Sequence, residues 1–305
     1  MKLSISYIYV IFRYGYPHRL KDVLKALPEI RALGFRYLEM EGLGRDLLTS
    51  LHKNRNTLMT ALGDAGLHVH NFCVVDPDLV SLNPGKRKRA IDLFKIGAEM
   101  GALLEAETLH LASYAPPVQY PEAKPYQLGQ NGGYKFADQN RIRIPNRFDW
   151  NEVWNALVES CQTCADIAAE HNKILLMEPR IGEVICSVDS LLRLIEHVER
   201  DNFKANFDTG HFCAQRENVV LALTKLRGHF ANIHISDNDP RNTNHIPIGE
   251  GIIDWQEFFR LLKSMNYQGY LGIDLGMSKT LARDYRRSVE HIQAVASKLR
   301  VPIEI

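Results

Sequence analysis

The chain has 305 residues, 45% of them hydrophobic and 24% charged, enough to bury a large core. Lys and Arg number 37 against 36 Asp and Glu, so no global basic field draws it to nucleic acid or to an anionic membrane. The five cysteines are odd in number and sit mostly in apolar patterns, which argues against a disulfide scaffold and for buried thiols in a reducing compartment.

The N-terminal MKLSISYIYVIFRYGY is too short an apolar stretch to span a bilayer and lacks a small-residue cleavage site. It reads as a first strand over 3–11 of a cytoplasmic protein. Strand-like runs follow at 35–40, 67–74, 104–112, 173–178, 203–208, 230–236 and 269–275. Amphipathic stretches near 18–33, 44–65, 86–101, 150–171, 187–199, 215–227, 255–267 and 279–299 alternate with them. Eight strand–helix pairs in strict alternation predict an α/β fold, a closed (β/α)8 TIM barrel spanning 1–305 as one domain. Asp149 and Asp254 stand where helix N-caps belong, and Gly34, Gly66, Gly101 and Gly269 where a helix must stop before strands 2, 3, 4 and 8. Cys161 and Cys164 form a CxxC inside a helical pattern with no second pair nearby, so their expected role is structural. The basic run from Lys86 to Arg89 opens a helix and reads as a solvated face.

One segment breaks the rhythm. Residues 113–148, inserted after strand 4, hold five prolines, three glycines and four tyrosines. A loop of this length is usually functional or disordered, and its aromatic content favours an ordered lid over the barrel mouth. A surface excursion or a subunit contact is the alternative. Arg141, Arg143 and Arg147 within it face either an anion or solvent.

Four apolar runs in the second half each end on a residue able to bind a metal: Glu178, Asp208, His234 and Asp274. In a parallel barrel all such strand ends open on one face, so the four converge although 26 to 40 residues separate neighbours in the chain. Carboxylates with an imidazole suit a divalent ion such as Mn²⁺, Zn²⁺, Mg²⁺ or Co²⁺. An acidic residue closing an apolar strand is costly unless paired, and Arg180 is the competing partner for Glu178. His211, three residues after Asp208, points at substrate or a second metal. Asp237 and Asp239 shape the polar loop that holds Arg241 and His245. His70 and His110 end strands 3 and 4 and face the same mouth or are simply hydrogen-bonded. Glu39 and Glu41 close strand 2 as substrate contacts or as supports behind the ligands.

The motifs EPR at 178–180, DTGH at 208–211, HISDND at 234–239, HIPIGEGIIDW at 245–255 and GYLGID at 269–274 resemble the sugar phosphate isomerase/epimerase superfamily. These are the xylose isomerase-like barrels that include the ketose 3-epimerases and the endonuclease IV type of nuclease. The ketose 3-epimerase resemblance implies a metal on Glu178, Asp208, His234 and Asp274, with Glu178 and Asp274 also moving protons on opposite sides of a carbohydrate-like substrate. It further implies substrate contacts from His211, Arg241 and Glu183. His70, His110 and His245 join them as a second tier. Strand 8 ends in Asp274 where that family usually has Glu, and the shorter arm puts the two-glutamate mechanism in doubt. In the endonuclease branch His70 and His110 match further zinc ligands, and His211 and His245 match two ligands of a third zinc. Thr243 replaces a ligand of that third site, and the balanced charge disfavours DNA.

The leading expectation is a divalent-metal-dependent sugar isomerase or epimerase with a small-molecule substrate, no nucleic-acid partner and no membrane association. Homo-oligomers fit as well, because barrels with long aromatic loops often pair. A metal-dependent lyase or dehydratase, an endonuclease IV-like nuclease and a non-catalytic binding barrel are the alternatives.

Overall fold

The computed structural model describes residues 1–121, 127–128, 134–135, 141–239, 244–276, 278 and 280–305. Eight strands form the barrel: β1 (Lys2–Ile5), β2 (Tyr37–Leu43), β3 (His68–Val75), β4 (Thr108–Ala112), β5 (Ile174–Glu178), β6 (Phe203–Asp208), β7 (Phe230–Ile235) and β8 (Tyr270–Ile273). Each pairs in parallel with its sequence neighbour, and β8 closes the ring on β1 through Lys2 opposite Tyr270 and Ile5 opposite Ile273. The closed ring leaves no sheet edge exposed. Outside it lie α1 (Ile8–Tyr14), α2 (Leu20–Ala32), α3 (Gly44–Lys53), α4 (Arg55–Ala65), α5 (Pro84–Leu103), α6 (Trp150–Glu170), α7 (Val188–Val198), α8 (Thr209–Ala214), α9 (Val219–Lys225), α10 (Trp255–Ser264) and α11 (Leu281–Leu299). The main core fills the layer between ring and helices, with Phe72, Phe94, Phe203, Phe207, Phe258 and Phe259 fully buried.

The predicted alternation holds, and its exceptions have local causes. The expected strand over 3–11 stops at Ile5, and Ile8–Tyr14 is a helix instead. A short β-branched and aromatic run reads alike as strand or buried helix. The expected helix over 44–65 breaks at Asn54, whose side-chain amide donates to the Ser50 carbonyl at 2.8 Å. Asp149 and Asp254 cap α6 and α10, accepting from the N–H of Asn151 at 2.8 Å and of Glu257 at 3.0 Å. Gly66 ends α4 in the left-handed region with φ 62°. Gly101 does not stop a helix: α5 runs through it, and a Cβ there would lie 2.4 Å from Leu109 Cδ2. Close packing of α5 on the sheet is the reason for that glycine.

Cys161 and Cys164 are buried free thiols on α6. Lys86, Lys88 and Arg89 are exposed, as a solvated face requires. After β4 the chain leaves the barrel; Gln119 pairs antiparallel with Arg143, and a short ribbon joins 127–128 to 134–135. Arg141, Arg143 and Arg147 are exposed. Part of the expected lid, 122–126, 129–133 and 136–140, lies outside the described residues. Among the described residues no helix is long and apolar enough to cross a membrane.

Candidate active site

Side chains two apart on a strand share a face. Along β1 and the residue that follows it, and along β2, β4, β6 and β7, that period places polar pairs on the inner wall: Ser4 and Ser6, Glu39 and Glu41, Thr108 and His110, Asn206 and Asp208, Asn232 and His234. Their hydrogen bonds cross the barrel. His234 on β7 meets Glu39 on β2, two strands beyond its neighbours, with Nε2 2.7 Å from Glu39 Oε2. Asn232 Nδ2 donates to Glu39 Oε1 at 2.8 Å and to Asn206 Oδ1 at 2.9 Å, and Asn206 Nδ2 donates to Glu178 Oε1 at 2.9 Å. These buried amides satisfy and orient the carboxylates at the mouth, as burial of such groups demands.

Glu178, Asp208 and His234 converge at the C-terminal strand ends, each offering a ligand atom within 4.8 Å of the other two. His234 Nδ1 lies 2.7 Å from Glu178 Oε1 and 3.6 Å from Asp208 Oδ2, yet it is not aligned for a hydrogen bond with either. Asp208 Oδ1 accepts from the His211 N–H at 2.8 Å, while Oδ2 is buried with no hydrogen-bond partner. An orphaned carboxylate oxygen beside an out-of-line imidazole nitrogen is an arrangement that ligands take around a shared cation. Two carboxylates and one imidazole therefore fit a divalent ion, and the chain is a metal-binding-capable barrel.

Asp274 joins a second group with Asp208 and His245, their ligand atoms again within 4.8 Å of one another, and Glu39, His110 and His234 form a third. Asp274 follows β8 directly; Oδ1 accepts from the Ser6 hydroxyl, and Oδ2 lies 2.9 Å from His245 Nδ1. His245 is fully buried behind Asp274. It is brought there by the loop after β7, which folds back on Asp237: that carboxylate accepts from Trp255 Nε1 at 2.7 Å and from the Gly249 N–H at 2.9 Å.

The cluster opens on a cavity of about 310 Å³, near the low end for small-ligand sites. Its polar wall includes Glu41, His110, Arg180, Glu183 and His211 beside Glu178, His234 and Asp274; Ile8, Ile11, Leu43 and Val75 form an apolar side. Tyr114 and Ala115, at the start of the long insertion, also line it. His70 is not on this wall. It lies below, stacked on Tyr270 with ring centroids 3.9 Å apart, its Nε2 3.6 Å from Glu39 Oε1. His110 Nδ1 is 3.2 Å from the Asn71 amide nitrogen, and its Nε2 is 3.9 Å from Glu178 Oε1. Arg241 lies outside the described residues.

Burial and charge set the protonation states. Burial opposes ionisation of Glu178, but Arg180, donating to its Oε2 at 2.9 Å, and His234 hold it well below the usual carboxylate range. Burial likewise opposes ionisation of Glu39, and His234 overcomes it, bringing Glu39 down to about 2. Burial disfavours a charge on His234, yet Glu39, Asp208 and Glu178 raise it well above the usual imidazole range. The same negative surroundings favour a metal cation. Burial keeps His70 neutral down to about 3, and His110 and His211 down to about 4. Glu41 is lifted to about 8 by burial and, next, by the charges of Glu178, Glu39 and Asp274 against the opposing pull of Arg180.

The buried asparagines and Ser6 were not singled out from the sequence. The signal was present, because a polar residue at every second position of an otherwise apolar strand needs a partner inside.

The family model described as "Xylose isomerase-like TIM barrel" matches residues 27–295. L-ribulose-5-phosphate 3-epimerase UlaE of Salmonella heidelberg (strain SL476) is 24% identical over 255 residues, covering 81% of this chain and 79% of the relative. Among solved structures, a D-tagatose 3-epimerase-like protein superposes with a TM-score of 0.74 at 19% identity, covering 98% of both chains. The 3-keto-D-glucoside 4-epimerase YcjR from E. coli superposes with a TM-score of 0.72 at 17% identity, covering 96% of this chain and 99% of the other. The closed eight-strand ring, the metal-capable cluster at its C-terminal mouth and the match over residues 27–295 agree: the chain belongs to the xylose isomerase-like TIM-barrel family.

Proposed function

We propose that the protein is a divalent-metal-dependent epimerase of a small ketose or related sugar, acting by proton transfer at a carbon next to the carbonyl. The observation that carries this reading is the Glu178/Asp208/His234 cluster beside a small cavity that Glu178 and His234 line. The epimerase activities that UlaE and the D-tagatose 3-epimerase-like protein are named for support it. Glu178, Asp208 and His234 would hold the ion, with Asp274 as the fourth ligand. The bound ion would polarise the substrate's carbonyl and hydroxyl oxygens and so acidify the neighbouring C–H.

Glu178 sits where an ionised carboxylate can accept that proton, since Arg180 keeps it deprotonated. His211 is neutral on the cavity wall and suits hydrogen bonding to a substrate oxygen. Glu183, on the same wall, accepts from a substrate hydroxyl. Arg241 and His245 complete the proposed binding set from the loop after β7, His245 by fixing Asp274. His70 acts from beneath, through Glu39, and His110 acts at the cavity wall.

The test strips the protein with a chelator and reloads it separately with Mn²⁺, Zn²⁺, Mg²⁺ and Co²⁺. D-fructose, D-tagatose, L-ribulose and L-ribulose 5-phosphate are then offered in deuterated water. Metal-dependent deuterium incorporation with appearance of an epimer is expected, and Glu178→Gln should lower the rate about 10²–10⁴-fold. Loss of water or fragmentation without an epimer would replace this reading with a lyase; failure to bind any divalent ion would remove it.

A further inference from the structure

Inversion at a carbon needs one group to take a proton from one face and another to return a proton to the opposite face. Asp274 is poorly placed for the second task, because Ser6 and His245 occupy its two oxygens. Glu41 is different. It is half-buried on the cavity wall, and its carboxyl makes no hydrogen bond or ion pair among the described residues. It lies two residues beyond Glu39 on β2, on the same inner face and one step nearer the mouth. β2 and β5 stand three strands apart in the ring of eight, so Glu41 and Glu178 approach the cavity from different sides.

We propose that Glu41 is the acid–base partner of Glu178, a role that rests on the epimerase reading above. Glu178 removes the proton from the carbon beside the carbonyl, and the C–H electron pair passes into the enediolate. Glu41 then gives its own proton to the opposite face of that carbon, the enediolate electrons form the new C–H bond, and the carbonyl is restored. Glu178 ends protonated and Glu41 ionised; exchange with solvent resets both, and the reverse reaction swaps their parts. Asp274 remains a ligand.

The experiment uses full-length, metal-loaded Glu41→Gln with D-fructose and D-psicose in deuterated water. Metal content per chain and melting temperature should match the wild type. Interconversion of the two sugars should fall about 10²–10⁴-fold. One of the two should still exchange its carbon-bound proton within about threefold of the wild-type rate, because Glu178 can remove and return a deuteron on its own face; the other should not exchange. Equal loss of exchange from both sugars, or interconversion at the wild-type rate, would overturn the role of Glu41. A wild type that binds metal yet neither exchanges nor interconverts the pair would overturn the assignment for these sugars together with Glu41. A wild type that binds no metal fails one level earlier, at the proposed function.

Discussion

Glu39 holds one nitrogen of His234 at 2.7 Å and so decides what the other nitrogen can do. With Nε2–H donated to Glu39, Nδ1 presents its lone pair to the space shared with Glu178 and Asp208. Glu39→Gln keeps the shape but removes the charge. The affinity for Mn²⁺ measured by titration calorimetry on chelator-treated protein is expected to fall about 10–100-fold. A lower melting temperature with unchanged affinity would mean that Glu39 serves only the fold. Glu178, Asp208 and His234 were legible because each closes or nearly closes an apolar run where a polar group needs a reason. Glu39 was legible as a strand-end carboxylate but its task was not: its partner lies 195 residues away, and only ring closure brings β2 to face β7. The part played by His245 was hidden for a similar reason, since it depends on how Asp237 folds the following loop.

At the scale of elements, alternation carried the fold and packing set its details. Strand and helix order followed from period and length, while the N-terminal run misled because period alone does not separate a short strand from a buried helix. Close approach of a helix to the sheet is equally invisible in a sequence. An ideal Cβ on Gly97 of α5 would lie 2.2 Å from Val74 Cγ2 on β3. Gly97→Ala should therefore destabilise by about 1–3 kcal/mol despite the better helix propensity of alanine. Gly63 on α4 has nothing within 4 Å of such a Cβ, so Gly63→Ala should stabilise by about 0.5–1 kcal/mol. Urea midpoints should move in opposite directions with unchanged slopes. A shift of the same sign at both sites would show that helix propensity, not contact with β3, governs α5.

The whole molecule pays for its polar interior in acid sensitivity. His70, His110 and His211 have folded pKa values of about 3, 4 and 4, all depressed by burial below the ordinary 6.5. Below 6.5 the unfolded chain binds protons that the folded chain refuses, so metal-free protein loses stability as the pH falls. Each histidine contributes about 1.4 kcal/mol per pH unit, about 4 kcal/mol per unit for the three, while Glu41, lifted to about 8, returns about 1.4 kcal/mol per unit down to about pH 4.5, leaving a net loss of about 2.7 kcal/mol per unit. His234 and His245 have raised values and the opposite sign. Their contributions are fully present below 6.5 and fade only as the pH rises through their folded values, so they do not offset the loss on the acid side. Carboxylates such as Glu39, at about 2, add their own loss only below about 4.5. Against a typical stability of about 5–15 kcal/mol, metal-free protein should unfold below about pH 5 with net uptake of about two protons. Far-ultraviolet circular dichroism during an acid titration in chelator measures the midpoint, and its dependence on denaturant gives the proton count. An unchanged spectrum down to pH 4 would show that these imidazoles take up protons inside the fold. Excess divalent ion at about 100 times its dissociation constant should add about 2.7 kcal/mol at a given pH and move the midpoint toward acid. The shift should shrink as the pH falls, because protons then compete with the ion for its ligands.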